Sequence, residues 1–164
     1  MFWFWFGFGF SRAKRAPLYI GRRFAQGGNA NLIFNAEGAG YLLNRKALVH
    51  FMTNADQRQC SPGVQSPMTD VLLARCLRRS HPKVHAHDTK DAQGRERFHP
   101  FPPDDHVLFK ETPKDSAYKK SWYETYSINV KYGWDCCSPA SITFHRMNAS
   151  MILDFDAALY RRCD

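Results

Sequence analysis

No stretch of the 164 residues is long and apolar enough to cross a lipid bilayer, which takes about 20 consecutive residues. The longest apolar run, Met1–Phe10, is too short, and basic residues follow it instead of preceding it as they would in a signal peptide. We therefore expect residues 1–16 to be a disordered apolar and basic segment, with an interfacial anchor as the alternative. Residues 17–164 would form the folded part.

The sequence also lacks the Cys-x-x-Cys spacing of zinc-binding modules, although it contains five cysteines. Cys136 and Cys137 are adjacent, which suits a pair of metal ligands poorly. The cysteines could form a disulfide set with one left over, a zinc site, or inert core thiols. The zinc alternative would use His85 and His87 with Cys60 or Cys76.

Two features point to an oxidising compartment such as the secretory pathway. A bridge between Cys60 and Cys76 would fasten the loop Ser61–Gln65 to the helix predicted after it, and such bridges persist where the surroundings are oxidising. The triplet Asn148-Ala149-Ser150 has the pattern of an N-glycosylation acceptor.

The composition indicates a folded domain with an anionic partner. Hydrophobic residues make up 44% of the chain and aromatic residues 15%, which excludes a disordered protein and a coiled coil. The net charge of +8 favours either a nucleic acid or a phosphorylated small molecule such as a sugar nucleotide. A nucleic-acid surface would have to use Arg75, Arg78 and Arg79, which we interpret instead as a solvated helix face.

A helix is predicted over residues 66–77. Ser66 suits the N-cap and Pro67 the first helical position, and apolar residues recur behind them at helical spacing. Asp70 falls in the first turn, where the peptide dipoles favour a negative charge. A carboxylate there can accept a proton if a cavity presents a hydroxyl to it. The alternative is that Asp70 is one of the acidic residues common in first turns.

Strands are predicted at Tyr19–Phe24 and Leu32–Phe34. The segment 35–43 contains two glycines, where a backbone turns tightly or lets a ligand come close. Residues 80–97 are polar and His-rich and are predicted as a surface loop.

Asn44 and Asn148 are predicted to cap two further helices. The residues expected to face inward are Ala47, Leu48 and Phe51 in the first, and Met151, Ile152, Phe155 and Leu159 in the second. The triplet Asp154-Phe155-Asp156 has the Asp-x-Asp pattern of a metal signature. We interpret it as part of the amphipathic helix, because such signatures occupy a loop after a strand.

Aromatic residues and histidines supply the other candidates. Trp122 and Tyr126 belong to an aromatic cluster whose polar edges suit stacking on sugars or bases, with a place in the core as the alternative. His99 lies in a stiff Pro-rich segment and is either a packed core histidine or a pocket residue. His145 ends a predicted buried strand, where either a site residue or a satisfied histidine would be found.

These motifs occur together in one order. They are Glu37-Gly38-Ala39-Gly40-Tyr41, Thr69-Asp70-Val71, Asp88-Thr89, Phe98-His99-Pro100-Phe101, Trp122-Tyr123, Cys136-Cys137-Ser138 and Ser141-Ile142-Thr143-Phe144-His145. From about Pro17 to Arg162 the ordered set resembles the C-terminal half of the core 1 β1,3-galactosyltransferases of glycosyltransferase family 31. The resemblance implies an α/β fold: the C-terminal, acceptor-side part of a GT-A (Rossmann-like) glycosyltransferase domain, with a mixed sheet and flanking helices.

The resemblance also implies a function. Family members transfer galactose with inversion from UDP-galactose to O3 of N-acetylgalactosamine (GalNAc) on Ser or Thr of glycoproteins, and they use Mn²⁺. They are type II membrane proteins on the luminal side of the Golgi. The expected partners are therefore UDP-galactose and a GalNAc-modified glycoprotein, and a homodimer is possible. We expect no nucleic-acid partner, and we expect membrane contact only through a missing N-terminal anchor.

Site residues follow from the resemblance position by position. Asp70 matches the proposed catalytic base, and His145 matches a histidine that we expect to bind the metal, with His99 as the fallback. Trp122 and Tyr126 match aromatic residues near the acceptor sugar. The turn under the donor galactose is matched by Gly38, Ala39, Gly40 and Tyr41.

The chain departs from the family pattern in several places. Glu37 replaces the first glycine of the turn, Thr69 replaces the acidic partner of Asp70, and Glu124 stands where the family has a second Trp. The nucleotide-binding half with its Asp-rich metal loop is absent, so we expect a truncated gene product that is inactive alone. The alternative function is that of a non-catalytic, chaperone-like relative on the same fold.

Overall fold

The computed structural model describes residues 16–113 and 119–160, so nearly all of the predicted disordered segment 1–16 lies outside the described part. The helices in that part are α1 (Arg45–Asn54), α2 (Thr69–Arg79), α3 (Pro103–Leu108), α4 (Trp122–Tyr126) and α5 (Ala149–Tyr160). The strands are β1 (Tyr19–Gly21), β2 (Arg23–Ala25), β3 (Ile33–Asn35), β4 (Tyr41–Leu43), β5 (Ala86–His87), β6 (Phe98–His99) and β7 (Thr143–Phe144). None of the described helices is long and apolar enough to span a membrane.

The strands pair both ways, as the predicted mixed sheet requires. Strand β1 lies between β4, which is antiparallel to it, and β5, which is parallel. Strands β2 and β3 form an antiparallel pair, and β6 and β7 form a parallel pair. With helices flanking these sheets, the predicted α/β class is confirmed.

The core forms where α2 packs against the strands. Tyr19 of β1 and Leu77 of α2 are fully buried, and Phe24, Phe34 and Phe98 are nearly so. Burial of aromatic side chains contributes much of the stability of a domain this size, because each removes a large apolar area from water.

A buried ion pair interrupts the predicted strand Tyr19–Phe24. Arg22 lies between β1 and β2 and is 1% exposed. Its guanidinium is 2.7 Å from the Glu96 carboxylate and donates a 2.9 Å hydrogen bond to the Tyr123 hydroxyl. Lys90 Nζ lies 3.1 Å from the same carboxylate. Burial lowers the pKa of Arg22, but the pairing with Glu96 compensates its charge.

The predicted start of the second helix was wrong by two residues. Helix α2 begins at Thr69, because the Ser66 hydroxyl accepts a hydrogen bond from the Met68 N–H and closes a turn before the helix. Asp70 remains in the first helical turn. The predicted surface loop 80–97 also contains strand β5 and buried Val84.

Three inward-facing predictions were wrong as well, and one of them is Phe155 of α5, which is 37% exposed. Leu48 of α1 is 48% exposed and Ile152 of α5 is 56% exposed, because no described element covers those faces of the two helices. Ala47 is fully buried as predicted, and Phe51 packs partly buried against the core. The side chain of Leu159 lies outside the described residues.

Candidate functional site

One cavity of about 750 Å³ opens where the turn after β3, the start of α2, helix α4 and the segment after β7 meet. Five of the predicted site residues line it: Gly38, Asp70, Trp122, Tyr126 and His145. Apolar walls come from Phe24, Phe34, Met68 and Phe101. A concave site with apolar walls and a few convergent polar groups is the usual form of a ligand pocket.

Asp70 is held at the cavity by two backbone N–H groups. Its Oδ1 accepts a 2.8 Å hydrogen bond from the Val71 N–H, and its Oδ2 accepts a 3.1 Å hydrogen bond from the Glu37 N–H. Each carboxylate oxygen has two lone pairs, so both keep capacity to accept a further proton or hydrogen bond. The side chain is half-buried, which leaves it open to a ligand.

Gly38 and His145 face each other closely across the cavity wall. A Cβ added at Gly38 would lie 2.9 Å from His145 Nδ1, so only glycine leaves the imidazole its place. His145 directly follows β7, and its backbone N–H donates a 3.0 Å hydrogen bond to the His99 carbonyl. Its side chain is exposed on the cavity side.

The rest of the predicted turn supports the cavity from behind. Ala39, Gly40 and Tyr41 are not among the lining residues. Gly40 has φ of 76°, a left-handed conformation that favours glycine, and its N–H donates to the Glu37 carbonyl. The Ala39 carbonyl accepts a hydrogen bond of 2.5 Å from the Thr143 hydroxyl, which ties the turn to β7.

Trp122 and Tyr126 stand one turn apart on α4. Trp122 is 55% exposed, and its ring centroid lies 5.9 Å from that of Phe24 and 6.3 Å from that of Tyr126. A flat, accessible aromatic face beside other rings is suited to stacking on a sugar.

Glu124, one of the departures from the family pattern, fixes this helix. It forms a capping box with Ser121, and it also accepts hydrogen bonds from Thr112. Burial alone would raise the pKa of Glu124, but these hydrogen bonds outweigh it and lower the pKa.

Arg146 is a cavity residue that the sequence reasoning missed. It follows His145, has φ of 58°, and places its guanidinium carbon 5.7 Å from the centre of the Phe101 ring. Within the described part of the chain it makes no ion pair with a carboxylate. Its position beside a candidate site histidine was the only signal in the sequence.

Glu37 and Thr69, two further departures, contact each other. The Thr69 hydroxyl donates a hydrogen bond to the Glu37 carboxylate. Because Glu37 also lines the cavity, its carboxylate lies beside the turn that carries Asp70. The sequence did not identify Glu37 as a cavity residue.

Around the cavity, the described residues do not bring three metal-ligating atoms together. Among residues 16–113 and 119–160, only His99, His106 and Cys137 place three ligand atoms within 4.8 Å of one another. His145 therefore offers a single imidazole, and the fallback His99 is buried and does not line the cavity.

The positions of the cysteines and histidines test the predicted zinc alternative. Cys60 is bonded to Cys76, as the predicted bridge requires, and Cys136 is bonded to Cys137. His85 and His87 are exposed and form no ligand group with Cys60 or Cys76, so that zinc site was wrong.

No family model matches the sequence, but comparison with known proteins finds a similar galactosyltransferase. The chain is 32% identical over 149 residues to glycoprotein-N-acetylgalactosamine 3-beta-galactosyltransferase 1 of Xenopus laevis. The alignment takes in 88% of this chain but only 38% of the relative, so the chain spans well under half of the relative's length. The resemblance stated from the ordered motifs is confirmed, and the architecture is consistent with a glycosyltransferase-like fold.

Proposed function

The chain is a relative of the galactosyltransferases, and on that premise we propose that its cavity is the acceptor side of an inverting galactosyltransferase site. Galactose would pass from UDP-galactose to O3 of GalNAc on Ser or Thr of a glycoprotein. The observation that carries the proposal is that Asp70, Trp122, Tyr126 and His145 line one cavity.

Asp70 is the proposed base. In an inverting displacement the acceptor hydroxyl oxygen bonds to the anomeric carbon while the bond from that carbon to the diphosphate breaks, and its electron pair leaves with UDP. The hydroxyl proton goes to Asp70, whose free lone pairs face the cavity. The N–H groups of Glu37 and Val71 keep the carboxylate in one orientation, which is what a positioned base requires.

Trp122 and Tyr126 are the proposed acceptor platform. A sugar ring that covers about 80 Å² of the Trp122 face would gain about 2 kcal/mol at about 25 cal/mol/Å². The capping box at Ser121 and Glu124 holds the helix that carries both rings, so the platform is formed before the sugar arrives.

Arg146 and His145 are the groups of this chain that we assign to the leaving diphosphate. Arg146 carries a guanidinium, which matches the geometry of phosphate oxygens. Since the described residues do not gather three ligand atoms at the cavity, we assign no step to Mn²⁺. The family's Mn²⁺ remains a proposal, with His145 as its candidate ligand.

The proposed location is the Golgi lumen. It rests on the family resemblance, and the Cys60–Cys76 and Cys136–Cys137 bonds suit an oxidising compartment.

The test is calorimetric titration of the chain with a GalNAc-α-threonine peptide. Trp122→Ala should weaken binding about thirtyfold, which is the equivalent of about 2 kcal/mol. Trp134→Ala is the matched control, because Trp134 is 86% exposed and does not line the cavity, and it should leave the affinity unchanged. Equal losses in the two variants, or none, would refute the acceptor platform.

A transferase assay separates an enzyme from a non-catalytic relative. With UDP-galactose, Mn²⁺ and the same peptide, any transfer should disappear in Asp70→Asn while peptide binding persists. Transfer at the parent rate in Asp70→Asn would exclude Asp70 as the base. Transfer by the parent chain would exclude the chaperone-like alternative.

A further inference from the structure

A second cluster of chemically active side chains lies behind the cavity wall. His99 at the end of β6 is fully buried, and His106 in α3 is 3% exposed. Together with Cys137 they bring one ligand atom each to within 4.8 Å of one another. None of the three lines the cavity, so the cluster is separate from the proposed transferase site.

Hydrogen bonds already orient both imidazoles. His99 Nε2 lies 2.9 Å from the Ser141 hydroxyl, and its other nitrogen, Nδ1, lies 3.7 Å from Cys137 Sγ. His106 Nδ1 lies 3.3 Å from the Tyr123 hydroxyl. A partner on the far nitrogen is the usual way in which a protein holds a metal-binding histidine in place.

One nitrogen in the cluster has no partner. His106 Nε2 is buried and makes no hydrogen bond to any described residue. A buried polar atom without a partner is destabilising, and it calls for an explanation such as an ion.

Cys137 is the candidate ligand that its disulfide bond keeps from binding a metal. Its sulfur is bonded to that of Cys136, and a disulfide sulfur is a much poorer metal ligand than a thiolate. Reduction by a thiol reductant would give two cysteine thiols and leave the reductant as a disulfide. A metal ion could then replace the Cys137 thiol proton, which would pass to solvent.

We propose that the chain binds Zn²⁺ through His99, His106 and Cys137 when the bond between Cys136 and Cys137 is open. Two imidazoles and a thiolate are the donors that zinc prefers, whereas Mn²⁺ prefers carboxylate and carbonyl oxygens. Zinc bonds of 2.0–2.3 Å place neighbouring ligand atoms about 3.5 Å apart, so no pair of the three atoms has to approach by more than about 1.3 Å. Three protein ligands leave one coordination position for a water or other small ligand.

Two serine variants at adjacent positions test the proposal without a reductant. Cys136→Ser frees the Cys137 thiol, whereas Cys137→Ser frees only its neighbour. In non-reducing buffer, Cys136→Ser should bind one Zn²⁺ more per chain than either Cys137→Ser or the oxidised parent, as measured by equilibrium dialysis and metal analysis. Because both variants lose the same disulfide, a general loss of stability would affect both and could not produce this difference.

Cobalt gives a signature of the sulfur ligand. Co²⁺ added to Cys136→Ser should produce a near-ultraviolet thiolate-to-metal charge-transfer band that Cys137→Ser lacks. In the Cys136→Ser background, His106→Gln should weaken binding at least about tenfold, while His85→Gln, an exposed histidine, should not. Circular dichroism of each metal-free variant verifies folding. Equal Zn²⁺ uptake by the two serine variants, or cobalt binding without the band, would overturn the proposal.

Discussion

Replacing Gly38 by alanine should displace His145 while leaving the fold almost as stable as before. The added Cβ would lie 2.9 Å from Nδ1 and 3.1 Å from Cε1 of the imidazole, closer than side-chain atoms normally approach. His145 is exposed, so its ring has room to rotate away. The variant therefore changes the position of a candidate site group and little else.

The expected change in stability is small because two effects oppose each other. Forcing the His145 ring about 30° from its rotamer costs about 0.5–1.5 kcal/mol. Replacing glycine restricts the unfolded chain and returns about 0.4–1 kcal/mol, since φ at Gly38 is outside the left-handed region. The net change in the free energy of unfolding should therefore stay within about 1 kcal/mol.

Gly27→Ala is the matched control. No atom lies within 4 Å of the Cβ it would add, but φ of 59° makes the backbone strained with alanine, at a cost of about 1–2 kcal/mol. Urea unfolding should therefore show the larger loss for Gly27→Ala. The NMR signal of the His145 ring and the affinity for UDP should change only in Gly38→Ala. An unchanged His145 signal in Gly38→Ala, or an equal loss of UDP affinity in both variants, would refute the reasoning.

Four further predictions test other parts of the structure. Arg146→Gln should weaken UDP binding about tenfold by calorimetry, and Arg146→Lys should weaken it less. Arg79→Gln, on an exposed helix surface, is the control and should leave the UDP affinity unchanged. Equal UDP affinities in the Arg146 and Arg79 variants would show that Arg146 does not bind the diphosphate. Glu96→Ala should lower the free energy of unfolding in urea by about 3–5 kcal/mol, because it leaves the buried guanidinium of Arg22 without its carboxylate; a loss below about 1 kcal/mol would contradict the buried pair. Although burial alone would raise it, hydrogen bonds from Arg95 lower the pKa of Asp91 to about 2, so its contribution to stability is present above pH 3.8 and is lost as the pH falls toward 2. Asp91→Asn should flatten the pH dependence of unfolding in that window, and a parent chain with no such slope would count against the lowered pKa. Replacing Cys60 and Cys76 together by alanine should cost about 3 kcal/mol, because the bridge closes a loop with a sequence separation of 16; an unchanged midpoint in urea would show that the bridge constrains nothing.

The sequence predicts helix caps and other local features where neighbouring residues in the chain determine them. Asn44 accepts a 2.9 Å hydrogen bond from the Ala47 N–H, and Asn148 accepts one of 2.9 Å from the Met151 N–H, so both predicted caps are confirmed. The Ser66 cap failed for a local reason too. Its hydroxyl could serve either a turn or a helix start, and the sequence does not show which one wins.

The sequence does not predict the contacts between segments that are distant along the chain. Arg22 has the spacing of a strand residue, and only the meeting of its segment with Glu96 and Tyr123 makes it a buried ion-pair partner. Leu48 fits the inward face of a helix by periodicity, but periodicity cannot show whether another element covers that face.

The cavity residues also differ in how far the sequence alone identifies them. Trp122 and Tyr126 stand out in the sequence as members of an aromatic cluster with polar edges. The approach of Asp70 and His145 to one cavity followed from the resemblance to a family and from nothing in their spacing. Arg146 was missed because an arginine after a site histidine has no pattern of its own. Its place in the cavity wall, over the Phe101 ring, is visible only in the structure.

The departures at Glu37 and Thr69 change meaning once their positions are known. In sequence they are two separate losses, a glycine from the turn and a carboxylate from the helix. In the structure the Thr69 hydroxyl donates to the Glu37 carboxylate, and the N–H of Glu37 binds Asp70. A carboxylate therefore still lies beside Asp70, but it is supplied by the turn after β3 instead of by α2. Because the two positions are in direct contact, a substitution at either one changes the surroundings of the other, and neither can be interpreted alone.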